Sequence, residues 1–461
     1  MTKPNILFLM TDQQRWDAMG CSGGWVQTPA LDRIAREGVR FRQCVTTTPI
    51  CIPARVTLAT GRYPHNNAVW NNMDYVMPPE APTWMRALRD LGYRTSLFGK
   101  THLHPHRDDL REREHLLHAY GLDDVDEIGG PRASARVMSH MTAMWEDKGL
   151  LDAYRADFDD RFANKPHVAR PSVLPLDDYA DVYVGQQAKR YLAEYARDEP
   201  WFCWVSFGGP HEPWDAPEPF ASMYEPEAMP PPLPRGVDDQ PRPRGWLDNR
   251  LENAPVFDAG DEAAMRANYA GNVTLIDDQI GQIIDVIEER GELDNTVIGF
   301  TSDHGEMNGD WGLIYKTVFL DGSVRVPMLV RTPDTARDDA ARVSDTLVEN
   351  CDLGPTLVEL AGGELEHRQF ARSLVRTLTD ADADAVHRDQ AISEISGEFM
   401  LMTRDWKMAL NREGRTYLLF DRNADPDESR NLAGLPEYRA VENDLRLRTL
   451  EHIATSQLRE P

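Results

Sequence analysis

Four short apolar runs in this chain each end on residues that can do chemistry. "NILFLM" leads into Asp12 and Gln13, "RTSLFG" into Lys100 and His102, "WFCWVSF" into His211, and "TVIGFT" into Asp303 and His304. An Asp or a His behind a strand is ordinary turn chemistry when it stands alone. Together, Asp12, Gln13, Asp303 and His304 supply two carboxylates, an amide oxygen and an imidazole. That donor set suits a hard divalent cation such as calcium or magnesium, and the histidine also admits manganese. Lys100 and His102 can hold an anionic ester oxygen. A further lysine, Lys316 in "DWGLIYKTVF", follows soon after the second carboxylate.

The stretch Cys51-Ile52-Pro53-Ala54-Arg55 adds a fifth element. Pro53 suits a first helical turn, where its missing N–H costs nothing. Cys51 then falls at a helix N-terminus, where backbone N–H groups and the dipole stabilise negative charge. Arg55, one turn on, is expected to point at the same spot. Cys51 reads either as a buried structural cysteine or as a thiolate nucleophile of lowered pKa. Soft sulfur pairs poorly with a hard cation, so an oxygen nucleophile would match the metal better.

The elements that must position these groups alternate in type. Apolar runs at Asn5–Met10, near 93–100, at Trp201–Phe207, near 296–301 and in "VPMLVRTP" read as strands buried on both faces. Between them lie amphipathic helices: "TPALDRIAREG" with Thr28 as N-cap, "APTWMRALRDLG", roughly 262–290, and "ENCDLGPTLVELAGG". The pattern predicts an α/β fold, a doubly wound, mixed but mostly parallel sheet flanked by helices. In such sheets ligands bind at the carboxyl ends of the strands, the edge where the polar residues fall. Residues 226–245 are proline-rich and read as a loop, and 103–180 as an acidic, partly helical region. From about 375, alternating short strands with tight turns predict a small antiparallel subdomain. The expected division is 1–374 catalytic and 375–461 C-terminal.

The chain has 461 residues, with 50 Lys+Arg against 76 Asp+Glu, a formal charge of −26. That balance argues against nucleic acid and anionic membranes as partners. Acidic runs such as "DDVDE" and "DADADAVHRD" read as solvated surface. An anionic substrate would be repelled by the overall field and needs a local basic pocket. Five cysteines without metal or disulfide spacing exclude a disulfide framework. The N-terminal apolar run is too short for a signal-peptide core, and no run approaches a membrane span. The expected setting is cytoplasmic. Trp214, Trp246 and Trp311 read as packing residues rather than as sugar platforms.

At this point the chain resembles the formylglycine-dependent sulfatases of the alkaline phosphatase superfamily. "CIPAR" is similar to their Cys-x-Pro-x-Arg signature and "VTLATGRYPHN" to the segment after it. "PNILFLMTDQQRWDAMGC", "GKTHL", "GGPHEPW", "TSDHGE" and "YLLFDRNADPDESRNLAG" resemble further family elements in order, from residue 4 to about 435. The resemblance implies that a maturation enzyme oxidises Cys51 to formylglycine, whose hydrate is the oxygen nucleophile. It implies one divalent metal, commonly calcium, on Asp12, Gln13, Asp303, His304 and residue 51. Arg55 would orient and activate the hydrate. Lys100, His102, His211 and Lys316 would hold the sulfate, with His211 or Lys316 protonating the leaving alcohol. The implied activity is hydrolysis of a small-molecule or saccharide sulfate ester. The competing expectation is a phosphonate or phosphate diester hydrolase of the same superfamily. Two departures stand out: Gln13 where many members have Asp, and Thr101 where many have an aromatic. A non-catalytic relative would lack a nucleophile or a ligand, and none is missing here.

Overall fold

The computed structural model describes residues 3–164, 167–258, 260–337, 341–380 and 387–458. Most of the acidic run after Asp380 lies outside them. The strands are β1 (Asn5–Thr11), β2 (Val39–Val45), β3 (Arg94–Gly99), β4 (Asp124–Glu127), β5 (Trp201–Ser206), β6 (Val237–Asp238), β7 (Thr296–Ser302), β8 (Met328–Arg331), β9 (Arg342–Glu349), β10 (Ala391–Ile395), β11 (Glu398–Met402), β12 (Trp406–Leu410), β13 (Thr416–Asp421) and β14 (Arg430–Asn431). An 8-stranded sheet runs β4-β3-β5-β1-β7-β8-β2-β9. All its pairings are parallel except those of β8, which is antiparallel to both β7 and β2. The mixed, mostly parallel sheet expected from the alternation is therefore present.

The two faces of β1 show how the core is built. Leu7 and Leu9 point into one apolar cluster, packed by Ile276, Ile280 and Ile284 of the helix Asp261–Glu289. Ile6, Phe8 and Met10 point into the other, with Trp84, Val56 and Leu353. A continuous apolar run is what burial on both faces demands, and each fully buried side chain contributes about 1.5–3 kcal/mol.

Local sequence does not decide every detail. Thr28 stands at the N-cap of the helix Pro29–Glu37 but makes no cap hydrogen bond. Asp277, from the long helix, accepts from the N–H groups of Ala30 and Leu31 at 2.9 and 2.8 Å instead. The acidic "DDVDE" run is not plain solvated surface. It contains the edge strand β4, and Glu127 at its end is buried.

The C-terminal part forms the expected antiparallel sheet, in order β10-β11-β12-β13. One face packs against Val45, Phe319 and Val324 of the larger unit, the other against Leu445 of the helix Arg439–Thr455. The proline-rich region is irregular apart from short turns and the two-residue β6, which pairs with β14. Among the described residues no helix is long and apolar enough to cross a membrane.

Candidate active site

Strands β3, β5, β1 and β7 are adjacent and parallel, and their pairing brings Gly99, Ser206, Thr11 and Ser302 to within a residue of level. Gly99 sits at φ +112, and a Cβ there would stand 1.9 Å from the Ser206 carbonyl oxygen. Only glycine allows the close approach. The chain leaving these four ends carries Lys100, His211, Asp12 with Gln13, and Asp303 with His304. Opposite them the fully buried helix Cys51–Thr60 presents Cys51 as its first residue. Its Ile52 N–H donates to Asn72 Oδ1 at 2.9 Å.

Asp12, Cys51, Asp303 and His304 are all buried, and each offers one ligand atom within 4.8 Å of the others. His304 Nδ1 faces the Gly305 carbonyl at 3.0 Å, which can only accept, so the proton belongs there. That turns the other ring nitrogen, Nε2, to the cluster, 3.1 Å from Cys51 Sγ and 3.6 Å from Asp303 Oδ1. Asp12 Oδ1 is buried without any hydrogen-bond partner. A buried carboxylate oxygen with nothing to bind costs free energy, and a cation would remove that cost. Two hard carboxylates and an imidazole fit a divalent ion at this point.

Two expected roles look different here. Arg55 does not turn its fork to residue 51. Nε donates to Asp303 Oδ2 at 2.7 Å, Nη2 to Asp12 Oδ2 at 3.0 Å, and Nη1 to the Lys100 carbonyl and to Ser206 Oγ. It cross-links the two carboxylates and fixes which oxygens face the cluster. The Gln13 side chain is engaged by its neighbours. Its backbone N–H donates to Asp303 Oδ1 at 3.1 Å, while its amide Nε2 donates to Glu212 Oε2 at 2.7 Å and to Glu306 Oε2, and its Oε1 accepts from Lys316 Nζ. Two buried carboxylates need donors, and this amide satisfies both.

The remaining expected residues converge on the same point. Lys100 Nζ donates to Asp12 Oδ2 at 2.5 Å. Lys316 Nζ lies 2.7 Å from His211 Nε2, and His211 Nδ1 donates to the Glu212 carbonyl at 2.9 Å. His102 is in hydrogen-bonding contact with the Cys51 side chain. Gln13, His102 and Tyr315 hold φ of 69, 55 and 71, a left-handed region that non-glycine residues rarely enter. Such strain concentrates where surrounding structure fixes functional side chains.

Electrostatics follow from burial against charge. Burial raises the Cys51 thiol, yet Lys316, Lys100 and His304 outweigh it and hold the group well below its ordinary value. Burial and Cys51 push Asp12 up, but Lys100, His211 and Arg55 leave it ionised far below the carboxylate range. Burial draws Lys316 down, and Cys51, Glu212 and Asp12 return it above 10.5, so it keeps its proton. Burial, then Lys100, pushes His102 well below 6.5.

The sulfatase family pattern matches residues 4–363. The chain belongs to the sulfatase family. A second pattern, the N-sulphoglucosamine sulphohydrolase C-terminal region, matches residues 309–455. The chain is 28% identical over 449 residues to an arylsulfatase of Clostridium perfringens, covering 95% of this chain and 92% of that protein. It is 30% identical over 488 residues to the multifunctional alkaline phosphatase superfamily protein PehA of Trinickia caryophylli, covering 96% and 94%. The solved phosphonate monoester hydrolase of Agrobacterium radiobacter superposes with a TM-score of 0.77 at 25% identity, covering 98% of this chain and 96% of that one. As a sulfatase-family enzyme of the alkaline phosphatase superfamily, the protein carries its polar cluster on the strand ends where that fold binds ligands.

Some residues of the site escaped sequence reasoning. Glu127, at the end of β4, accepts from Thr101, from His104 Nε2 at 2.9 Å and from His106 Nε2 at 3.2 Å. His106 stacks on His102 with ring centroids 4.5 Å apart. One buried carboxylate thus braces the loop that carries Lys100 and His102. The strand-end rule finds Glu127 once β4 is recognised as a strand. Glu212 and Glu306 stand next to or near residues already singled out, but nothing in spacing alone tied both to Gln13. Trp214 and Trp311 are buried and Trp246 half-buried, in keeping with packing.

Proposed function

We propose that the protein hydrolyses sulfate monoesters to alcohol and inorganic sulfate, with residue 51 acting as formylglycine. The observation that carries this reading is the buried convergence of Asp12, Cys51, Asp303 and His304, with an unpaired oxygen on Asp12. As a formylglycine hydrate, residue 51 supplies one hydroxyl to attack sulfur and a second whose collapse to the aldehyde expels sulfate. A divalent cation, calcium in this reading with magnesium and manganese as alternatives, is held by Asp12, Asp303, His304 and residue 51, and supplies a Lewis acid there. Gln13 joins it if its amide turns from Lys316. A maturation enzyme converts Cys51.

The chain's own residues do the rest. Arg55 fixes both carboxylates, so Asp12 Oδ1 and Asp303 Oδ1, the oxygens it does not bind, keep their places at the cluster. Lys100, His102, His211 and Lys316 surround the place of the ester and offset its negative charge, each close contact contributing a few kcal/mol at intermediate dielectric. Lys316 carries a proton 2.7 Å from His211 Nε2, so this pair can protonate the leaving oxygen. The substrate in this reading is a small-molecule or saccharide sulfate ester.

A second reading, phosphonate or phosphate diester hydrolysis, draws on the likeness to the phosphonate monoester hydrolase. Two measurements on one preparation decide. Mass spectrometry of the residue-51 peptide is expected to show the aldehyde or its hydrate. Side-by-side turnover is expected to favour aryl sulfate over aryl phosphonate. An unmodified peptide in an active preparation overturns the formylglycine mechanism, and the reverse preference overturns the sulfate assignment.

A further inference from the structure

Two arginines beside the cluster are not used by the reaction above. Arg250, in the helix Trp246–Glu252, is half-buried and donates from Nη2 to the Ile314 carbonyl at 2.7 Å. Its Nε is buried without a partner. Among the described residues no carboxylate lies within ion-pair distance of it. Its electrostatic neighbours are Glu306, Tyr315 and Glu212, the groups around Gln13 and Lys316. Arg132 approaches the same place with a side chain 48% exposed, its Nη1 3.0 Å from Glu212 Oε1. Its guanidinium lies 4.6 Å from the Phe162 ring centre and 5.8 Å from that of Tyr315. Tyr315 precedes Lys316 directly and stacks flat on Trp214, centroids 6.0 Å apart.

We propose that Arg132 and Arg250, gathered around Tyr315, form a second anion subsite that takes a carboxylate or sulfate borne by the alcohol half of the ester. The inference rests on the sulfate-ester reading and makes the substrate at least a dianion. A guanidinium kept half-buried without a carboxylate is costly, unless a ligand brings the counter-charge. Glu212 cannot serve both arginines, because its Oε2 already accepts from Gln13 and lies 3.3 Å from His211 Nδ1. Arginine suits this task, since its planar fork matches carboxylate and sulfate oxygens in pairs. The aromatic faces of Phe162 and Tyr315 hold the Arg132 guanidinium in place by cation–π contact. Bulk charge works the other way: a protein at −26 repels a dianion more than a monoanion, so any preference for the dianion must be local.

The test compares three aryl sulfates on the matured protein: 3-carboxyphenyl, 3-sulfophenyl and the neutral 3-carbamoylphenyl sulfate. Wild type is expected to show kcat/KM for the anionic pair at least about tenfold above the neutral ester, the scale of one charged hydrogen bond. The carboxylate and sulfonate arms tell which anion fits better. Arg250→Gln and Arg132→Gln are expected to bring that ratio towards one, with Arg250→Lys keeping part of it. A merely structural arginine would lower all three esters alike and leave the ratio unmoved, which overturns the proposal. Calorimetry with 3-sulfobenzoate against benzenesulfonate reads the subsite without turnover. If no ester is cleaved yet 3-sulfobenzoate binds at least about tenfold tighter, the sulfate-ester reading falls and the subsite stands. If all esters are cleaved with equal efficiency, or the two ligands bind alike, the subsite falls.

Discussion

Gly130 packs against Lys100 so closely that a Cβ on the glycine would stand 2.9 Å from Lys100 Cδ and 3.3 Å from Nζ. Gly130 also sits at φ +69, a conformation that costs other residues about 1–2 kcal/mol. Gly130→Ala is therefore expected to push Lys100 away from Asp12. Losing that charged hydrogen bond corresponds to a fall in kcat/KM of about tenfold or more. Steady-state kinetics with a parallel denaturation curve checks this, and unchanged kinetics would count against Lys100 as a sulfate-holding group.

Arg55 joins Asp12 and Asp303 with no exposure of any of the three side chains. A lysine carries the charge but has one nitrogen and cannot bridge two carboxylates in a fixed plane. Arg55→Lys is expected to reduce metal retention by about 10–100-fold, as is usual when the support of a metal ligand is removed. Metal content per folded chain, measured after dialysis, tests this apart from stability. Full retention would show that the carboxylates hold their places without the guanidinium.

Glu127 carries the loop bearing Lys100 and His102. Burial raises its carboxyl, but His104 and His106 pull it well below the ordinary range, so it is ionised. Glu127→Gln keeps the shape and removes the charge that both imidazoles share. The expected result is a kcat lower by about tenfold or more with KM nearly unchanged, because His102 loses its stacked support in the reacting complex. Glu127→Asp should recover part of the loss. A fall in melting temperature with normal kcat would leave Glu127 a packing residue only.

These residues also show where sequence reading reaches and where it stops. β1, β5 and β7 were legible because strands buried on both faces must be apolar throughout, and the strand-end rule then put Asp12, His211 and Asp303 on one edge. β4 was not legible: as an edge strand it pairs only with β3, so "DVDE" needs no apolar run and reads as surface. Asp277 capping a helix more than two hundred residues away leaves no local signal. Direction is equally hidden. The spacing of Arg55 from Cys51 says that they are near, but the charges on Asp12 and Asp303 decide where the guanidinium points. The amide of Gln13 is engaged by Glu212, Glu306 and Lys316, which spacing does not reveal.

His65 ties the segment after the Cys51–Thr60 helix to the C-terminal sheet: its Nδ1 lies 2.6 Å from Glu394 Oε1 on β10, and its Nε2 3.1 Å from Ser456 Oγ. Burial lowers the His65 pKa, but the hydrogen bond and charge of Glu394 raise it above 6.5 on balance. Burial raises Glu394 above 4.5 despite the opposing pull of His65. Both folded values exceed the unfolded ones, so the folded state binds these protons more tightly. Their contribution to stability is complete below the unfolded values and is lost as pH rises through the folded ones. The His65 part is lost above 6.5. The urea midpoint of wild type, compared with that of His65→Gln/Glu394→Gln, should fall relative to the double variant as pH rises above 6.5. A difference between the two that stays constant across that range would mean that the pair does not titrate with folding.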